Sequence, residues 1–153
     1  MGVKRYDKIL MKLNDLLLMN HEVEKIFSKI QYDDVDSSLK SFFKEKEIER
    51  SEFCTMLQNE SKKLETKIDD SIMLNRRNHL TKLNLKKILR YDKDVDLFRQ
   101  VNNVMQLSIY EYNEFLMEMN LPLSLCKLLI KQRDCIESSL HHITREAEAM
   151  RLA

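Results

Sequence analysis

The sequence predicts an all-α protein, a bundle of four long helices, and three observations carry that reading. One Gly and one Pro in 153 residues, with no Trp, leave almost nothing to break a helix. Apolar side chains recur at alternating steps of three and four in four separate segments, the rhythm of a helix seam packed against near-parallel neighbours. Two of the connections between these segments are short and one is long. A chain of this length fits one domain, 1–153, and can bury a core that needs no staples.

The first helix is expected over about 4–31, with Ile9, Leu13, Leu16, Asn20, Val23, Phe27 and Ile30 on its seam and Leu10 and Leu17 widening the stripe. Tyr32-Asp33-Asp34 ends it, and Asp34 or Asp36 is placed to accept from the first free N–H groups of the next helix. So short a turn implies antiparallel neighbours. The second helix is expected over about 37–67, with Leu39, Phe42, Phe43, Phe53, Met56, Leu57 and Leu64 facing inward. Between Phe43 and Phe53 the apolar pattern breaks, and Lys46 and Glu49 fall at the seam in a polar window.

The stretch from Thr66 to Asp96 is too long for a hairpin loop and carries Ile72, Leu80, Leu83, Ile88 and Leu89 at helical spacing. A crossover helix is expected there over about 75–90, returning the chain so that the second and third long helices run parallel. It carries Arg76, Arg77, Lys82, Lys86, Lys87 and Arg90, with Lys93 following, against Asp92 and with Tyr91 as the one stacking aromatic. Such a composition reads as a solvated basic face in preference to a nucleic-acid or phosphate site.

The third helix, expected over about 93–119 with a cap near Tyr91 or Asp92, has the most regular stripe of all. Phe98, Val101, Met105, Ser108, Tyr112, Phe115 and Met119 form its seam, and Leu97, Val104 and Tyr110 extend the apolar surface beyond it. Asn120-Leu121-Pro122 makes a short turn, with Asn120 as a cap and Pro122 in the first turn of the next helix. The fourth helix is expected over about 122–150, with Leu125, Leu129, Gln132, Ile136, Leu140, Ile143 and Ala147 inward. Two short turns flanking one long crossover give the ferritin-like connection.

Composition excludes several function classes. The 26 basic and 25 acidic side chains nearly cancel, so no whole-molecule field draws the chain to nucleic acid or a membrane surface. No apolar run reaches the 18 or so residues that a membrane span requires, and Tyr6 stands where a myristoylation signal needs Ser or Thr. Cys54, Cys126 and Cys135 form no C-x-x-C pair, and no signal-like run follows the start, so reduced thiols in a cytoplasmic protein are expected. A single Gly rules out a phosphate-binding loop, and no nucleophile elbow or zinc-finger spacing is present.

Bundles of this topology hold a pair of iron or manganese ions through a Glu from each of two helices and a Glu-x-x-His from each of the other two. The three-residue spacing matters because it sets carboxylate and imidazole on one helix face. Here Leu18, Arg76, Ser138 and Ser139 stand three residues before His21, His79, His141 and His142, so the motif is missing. A looser set, Glu24, Glu49, Glu52 and His141, is the alternative metal centre. Against it, Asn20, Lys46, Glu49, Ser108 and Gln132 read as a polar layer that fixes helix register. In that layer Lys46, Arg50 or Arg133 is expected to meet a carboxylate, with Asn20 or Gln132 supplying hydrogen bonds and the ammonium or guanidinium standing where a metal would.

Leu13-Asn14-Asp15-Leu16, followed by Glu22 and Phe27, resembles the opening helix of a bacterial family of uncharacterised ferritin-like four-helix-bundle proteins. Similarity extends through Leu39 to Phe53, Leu83-Asn84-Leu85-Lys86 and Leu128 to Ile143 with its Gln132. The resemblance implies a ferritin-like fold and leaves the activity open. It also implies a lost di-metal ligand set, since Asn102 and Met105 stand where that family carries Glu and Leu140-His141 where it carries a His-Asp pair. Fold analogy alone is no ground for ferroxidase activity. The expected function is a non-enzymatic protein-interaction or stress-associated bundle without cofactor, with a degenerate ferritin-like di-metal binding protein or oxidoreductase as the alternative; a homodimer is one way to cover the broad apolar surface of the third helix, and the crossover helix is the other.

Overall fold

A computed structural model describes residues 2–33, 35–65 and 96–152, with side chains described from Tyr6 to Ala149. These residues form four α-helices and, among the described residues, no strand: α1 (Gly2–Gln31), α2 (Ser37–Glu65), α3 (Leu97–Leu116) and α4 (Leu123–Leu152). The expected crossover helix over 75–90 and its basic residues lie outside the described residues. The chain divides into two compact units, Met1–Arg90 and Tyr91–Ala153, and each presents one helical hairpin.

In the first unit, α1 follows its seven-position seam, for Ile9, Leu13, Leu16, Asn20, Val23, Phe27 and Ile30 are all buried. Leu10, Met19 and Ile26 are buried beside them. The helix closes through tight turns in which Tyr32 N donates to Lys29 O and Asp33 N to Ile30 O, both over 3.1 Å. Gln31 Nε2 donates to Phe27 O and, over 2.9 Å, to Glu47 Oε1, which ties this end of the helix to α2.

Asp36 precedes α2, its carbonyl accepting from Lys40 N and its carboxylate from Ser38 Oγ. The two helices run antiparallel, since Phe27 meets Phe43, Asn20 meets Arg50 and Leu17 meets Cys54. The Phe27 and Phe43 rings lie 5.8 Å apart, and Phe42 meets Phe43 edge-on at 5.3 Å. Both separations are within the favourable range for aromatic pairs.

The seam of α2 departs from expectation in its middle. Buried positions are Leu39, Phe43, Arg50, Phe53, Cys54, Leu57, Glu60, Ser61 and Leu64. Phe43, Arg50, Leu57 and Leu64 are spaced by one heptad, so the polar position in full register with the core is Arg50. Lys46 and Glu49 are half-buried, while Met56 is 40% exposed because it lies one position before Leu57 and turns toward solvent.

In the second unit, α3 begins later and ends earlier than expected. Asp96, with φ −48° and ψ 119°, is its N-cap and accepts from Phe98 N over 3.2 Å, while Tyr91 and Asp92, expected near the cap, lie outside the described residues. Its end is set by Met117 N donating to Glu114 O and Glu118 N to Phe115 O, a tightening that stops the helix at Leu116. Met119 therefore leaves the seam and is 79% exposed. Asn120 takes a left-handed φ of 66°, a conformation Asn tolerates better than most residues, and so shapes the turn without capping α4. Pro122 stands just before α4, where its carbonyl accepts from Cys126 N.

Val101, Val104, Met105, Ser108, Tyr112 and Phe115 are buried on α3. Leu125, Leu129, Gln132, Ile136, Ser139 and Ile143 are buried on α4. Strict alternation of four and three places Ser139 on the seam, and Leu140 beside it is half-buried.

Candidate functional site

Each hairpin carries a polar stretch inside its apolar seam. In the first, the Arg50 side chain is 1% exposed, and its Nη1 donates to Asn20 Oδ1 over 2.8 Å. Asn20 Nδ2 donates in turn to Leu16 O over 3.0 Å, and the guanidinium carbon lies 5.9 Å from the centre of the Phe27 ring. A planar cation thus has an amide oxygen at its edge and an aromatic ring near its face, a combination that suits a guanidinium better than an ammonium. Lys46 sits nearer the surface, 3.2 Å from Glu49 and 5.5 Å from the Phe42 ring centre. With both partners within reach of solvent, that pair contributes modestly.

In the second hairpin, Tyr112 and Gln132 are buried and joined by a 2.6 Å bond from the phenol to Oε1. Ser108 Oγ donates back to Val104 O over 2.8 Å. Arg133 lies toward the surface, donating to Asn113 Oδ1 and approaching Asp134 at 3.3 Å. Of the residues that extend the apolar surface of α3, Val104 is buried, Leu97 half-buried and Tyr110 exposed. Glu114, one turn on, raises the Tyr110 phenol above its usual range. Arg99, Asn102, Thr144 and Glu148 line an open groove between α3 and α4.

The carboxylates of the alternative metal set do not gather. Among the described residues, Glu24, Glu49 and Glu52 form no group of three ligand atoms, and His141 is exposed on α4. The physical reason is helical phase: Arg50, and not Glu49, holds the inward position on α2, which leaves Glu49 at the flank and Glu52 outside. Within this hairpin the inward positions at this level are therefore a guanidinium and an amide, where a di-iron or di-manganese centre would call for carboxylates.

What the structure does bring together is a different trio. His21, Glu24 and Cys54 place an imidazole nitrogen, a carboxylate oxygen and a thiol within 4.8 Å of one another. The Glu-x-x-His motif sets the acid before the histidine, whereas His21 and Glu24 have the same three-residue spacing in the opposite order. Cys54 joins them only through the antiparallel pairing of α1 with α2, which no spacing along the chain displays. Burial and the Glu24 carboxylate push the Cys54 thiol up to about 12, with Arg50 pulling the other way.

The chain matches no protein-family model, no curated protein and no solved structure. No described helix is long and apolar enough to cross a membrane.

Proposed function

We propose that the chain is a non-enzymatic helical bundle of the ferritin-like class, with a crossover between its two hairpins, that works through its outer surface as a protein-interaction or stress-associated module. The observation that carries this reading is the buried Arg50 guanidinium on Asn20. A fixed cation within the seam repels a second one, and a core amide cannot replace the carboxylates a metal-dependent oxidant would need.

The width of the buried stripe on α1 supports the bundle. One antiparallel neighbour covers about two positions per heptad, yet Ile9, Leu10, Leu13 and Leu16 are all buried within eight residues, as are Met19, Asn20, Val23 and Ile26. A stripe of that width is what the proposed bundle calls for.

Two measurements test the reading. Metal analysis of protein purified without chelator, after loading with iron(II) or manganese(II), should find neither metal in stoichiometric amount. Stoichiometric iron or manganese lost in Glu49→Ala would overturn the proposal in favour of a di-metal protein. As to the partner, Met117, Met119 and Leu123 expose apolar side chains around the α3–α4 turn, which favours a second copy of the chain. Light scattering across a dilution series should show a monomer–dimer equilibrium, and a strict monomer would remove the homodimer.

A further inference from the structure

We propose that His21, Glu24 and Cys54 form a three-ligand site for a zinc-like divalent cation on the α1–α2 hairpin, with water in the fourth position. This site shares Glu24 with the looser carboxylate set but none of Glu49, Glu52 or His141, and makes no use of the residues that the bundle reading rests on. Four observations carry it.

The first is the donor set. Imidazole, carboxylate and thiolate are the three protein ligand types of zinc, and a thiolate among them selects against the hard cations that carboxylate centres hold. The second is distance. His21 Nδ1 and Glu24 Oε2 are 3.6 Å apart, and all three ligand atoms lie within 4.8 Å. Bonds of about 2.0–2.3 Å in a tetrahedral site put ligand atoms roughly 3.3–3.8 Å apart. The His21–Glu24 edge already has that length, and the other edges lie within about 1 Å of it.

The third is access. The His21 side chain is 47% exposed and that of Glu24 is partly open, whereas Cys54 is buried beneath them. A cation arriving from solvent thus meets nitrogen and oxygen first and the sulfur last. Cys54 Sγ now makes only a long 3.9 Å contact to Leu17 O, a weak bond to surrender.

The fourth is charge. A dication with one thiolate and one carboxylate is neutral, so the filled site presents no net charge to the nearby Arg50 cation. Binding joins the metal to the lone pair of a His21 ring nitrogen, to the Glu24 carboxylate and to the Cys54 sulfur. The Cys54 S–H bond breaks, its electron pair passes to the metal bond and its proton leaves to water.

Titration of the reduced, metal-free full-length chain with Co²⁺ and then Zn²⁺ tests this. One cobalt per chain should bind with a thiolate-to-cobalt charge-transfer band and the intense visible bands of four-coordinate cobalt, and zinc should abolish both. Cys54→Ser should remove the charge-transfer band, and His21→Ala should weaken binding by at least the ~10–100-fold seen when even an outer-shell partner is lost. The exposed position of His21 makes that variant one that folds whatever Cys54→Ser does. Replacing Cys126 and Cys135 together by Ser should leave the spectrum unchanged. Absence of binding, a six-coordinate spectrum without the sulfur band, or affinity indifferent to His21→Ala would overturn the assignment.

Discussion

Arg50 is the residue whose chemistry governs the first hairpin. Asn20 accepts from this fully buried guanidinium, and a hydrogen bond to a charged group is worth about 1.5–3 kcal/mol. Asn20→Leu should therefore destabilise the protein by about 2–3 kcal/mol in urea denaturation, since the cation stays buried and loses an acceptor. Adding Arg50→Met removes the charge that needed the acceptor, and the double variant should recover much of that loss. Additive effects of the two substitutions would show that the pair is not coupled.

Cys54 allows a second prediction at the same scale, for the metal-free protein. Its folded thiol is raised from the ordinary 9.0 to about 12, so between those values the unfolded chain has released a proton that the native state retains. The unfolded state then binds fewer protons, and stability falls as pH rises. This contribution is fully present below about 9 and is lost progressively toward about 12. Unfolding midpoints measured across that range should drop more steeply for the native sequence than for Cys54→Ala. Parallel curves would show that Cys54 titrates as it does in the unfolded chain.

At the scale of elements, legibility in the sequence followed the apolar period. All seven seam positions named for α1 are buried, because there the stripe is nearly unbroken and its phase can be read from either end. On α2 the stripe is interrupted by charged side chains, and a phase carried forward from Phe42 and Phe43 is ambiguous by one residue. That single step exchanges Arg50 for Glu49 at the inward position and turns a cationic core into an apparent carboxylate one. Likewise the trio of His21, Glu24 and Cys54 was hidden, since its third member arrives through interhelical register.

Helix ends were read less well, because capping depends on local dihedrals that composition does not display. Asp96 is the N-cap of α3, and Asp96→Ala should cost about 1 kcal/mol. On the same hairpin Tyr112→Phe removes the 2.6 Å bond to Gln132 while keeping the ring, and should cost about 1–2 kcal/mol. Denaturant midpoints at unchanged slope would check both, and a slope change would point to an altered native or unfolded ensemble.

At the scale of the whole molecule, the question is whether the two hairpins behave as one bundle. Two amphipathic helices joined by a turn bury one seam between them, which rarely suffices for independent stability in water. If the proposed bundle forms, the broad stripe of α1 is shared among several neighbours, and neither hairpin retains its core when the other opens. Unfolding should then be a single cooperative transition. The variants named above probe this from opposite ends of the chain: Asn20→Leu weakens the first hairpin and Tyr112→Phe the second. Both should lower the midpoint of the same transition, followed by far-ultraviolet circular dichroism, without splitting it. Two transitions, with Asn20→Leu moving one and Tyr112→Phe the other, would mean that each hairpin stands alone, and the four-helix assembly would have to be abandoned.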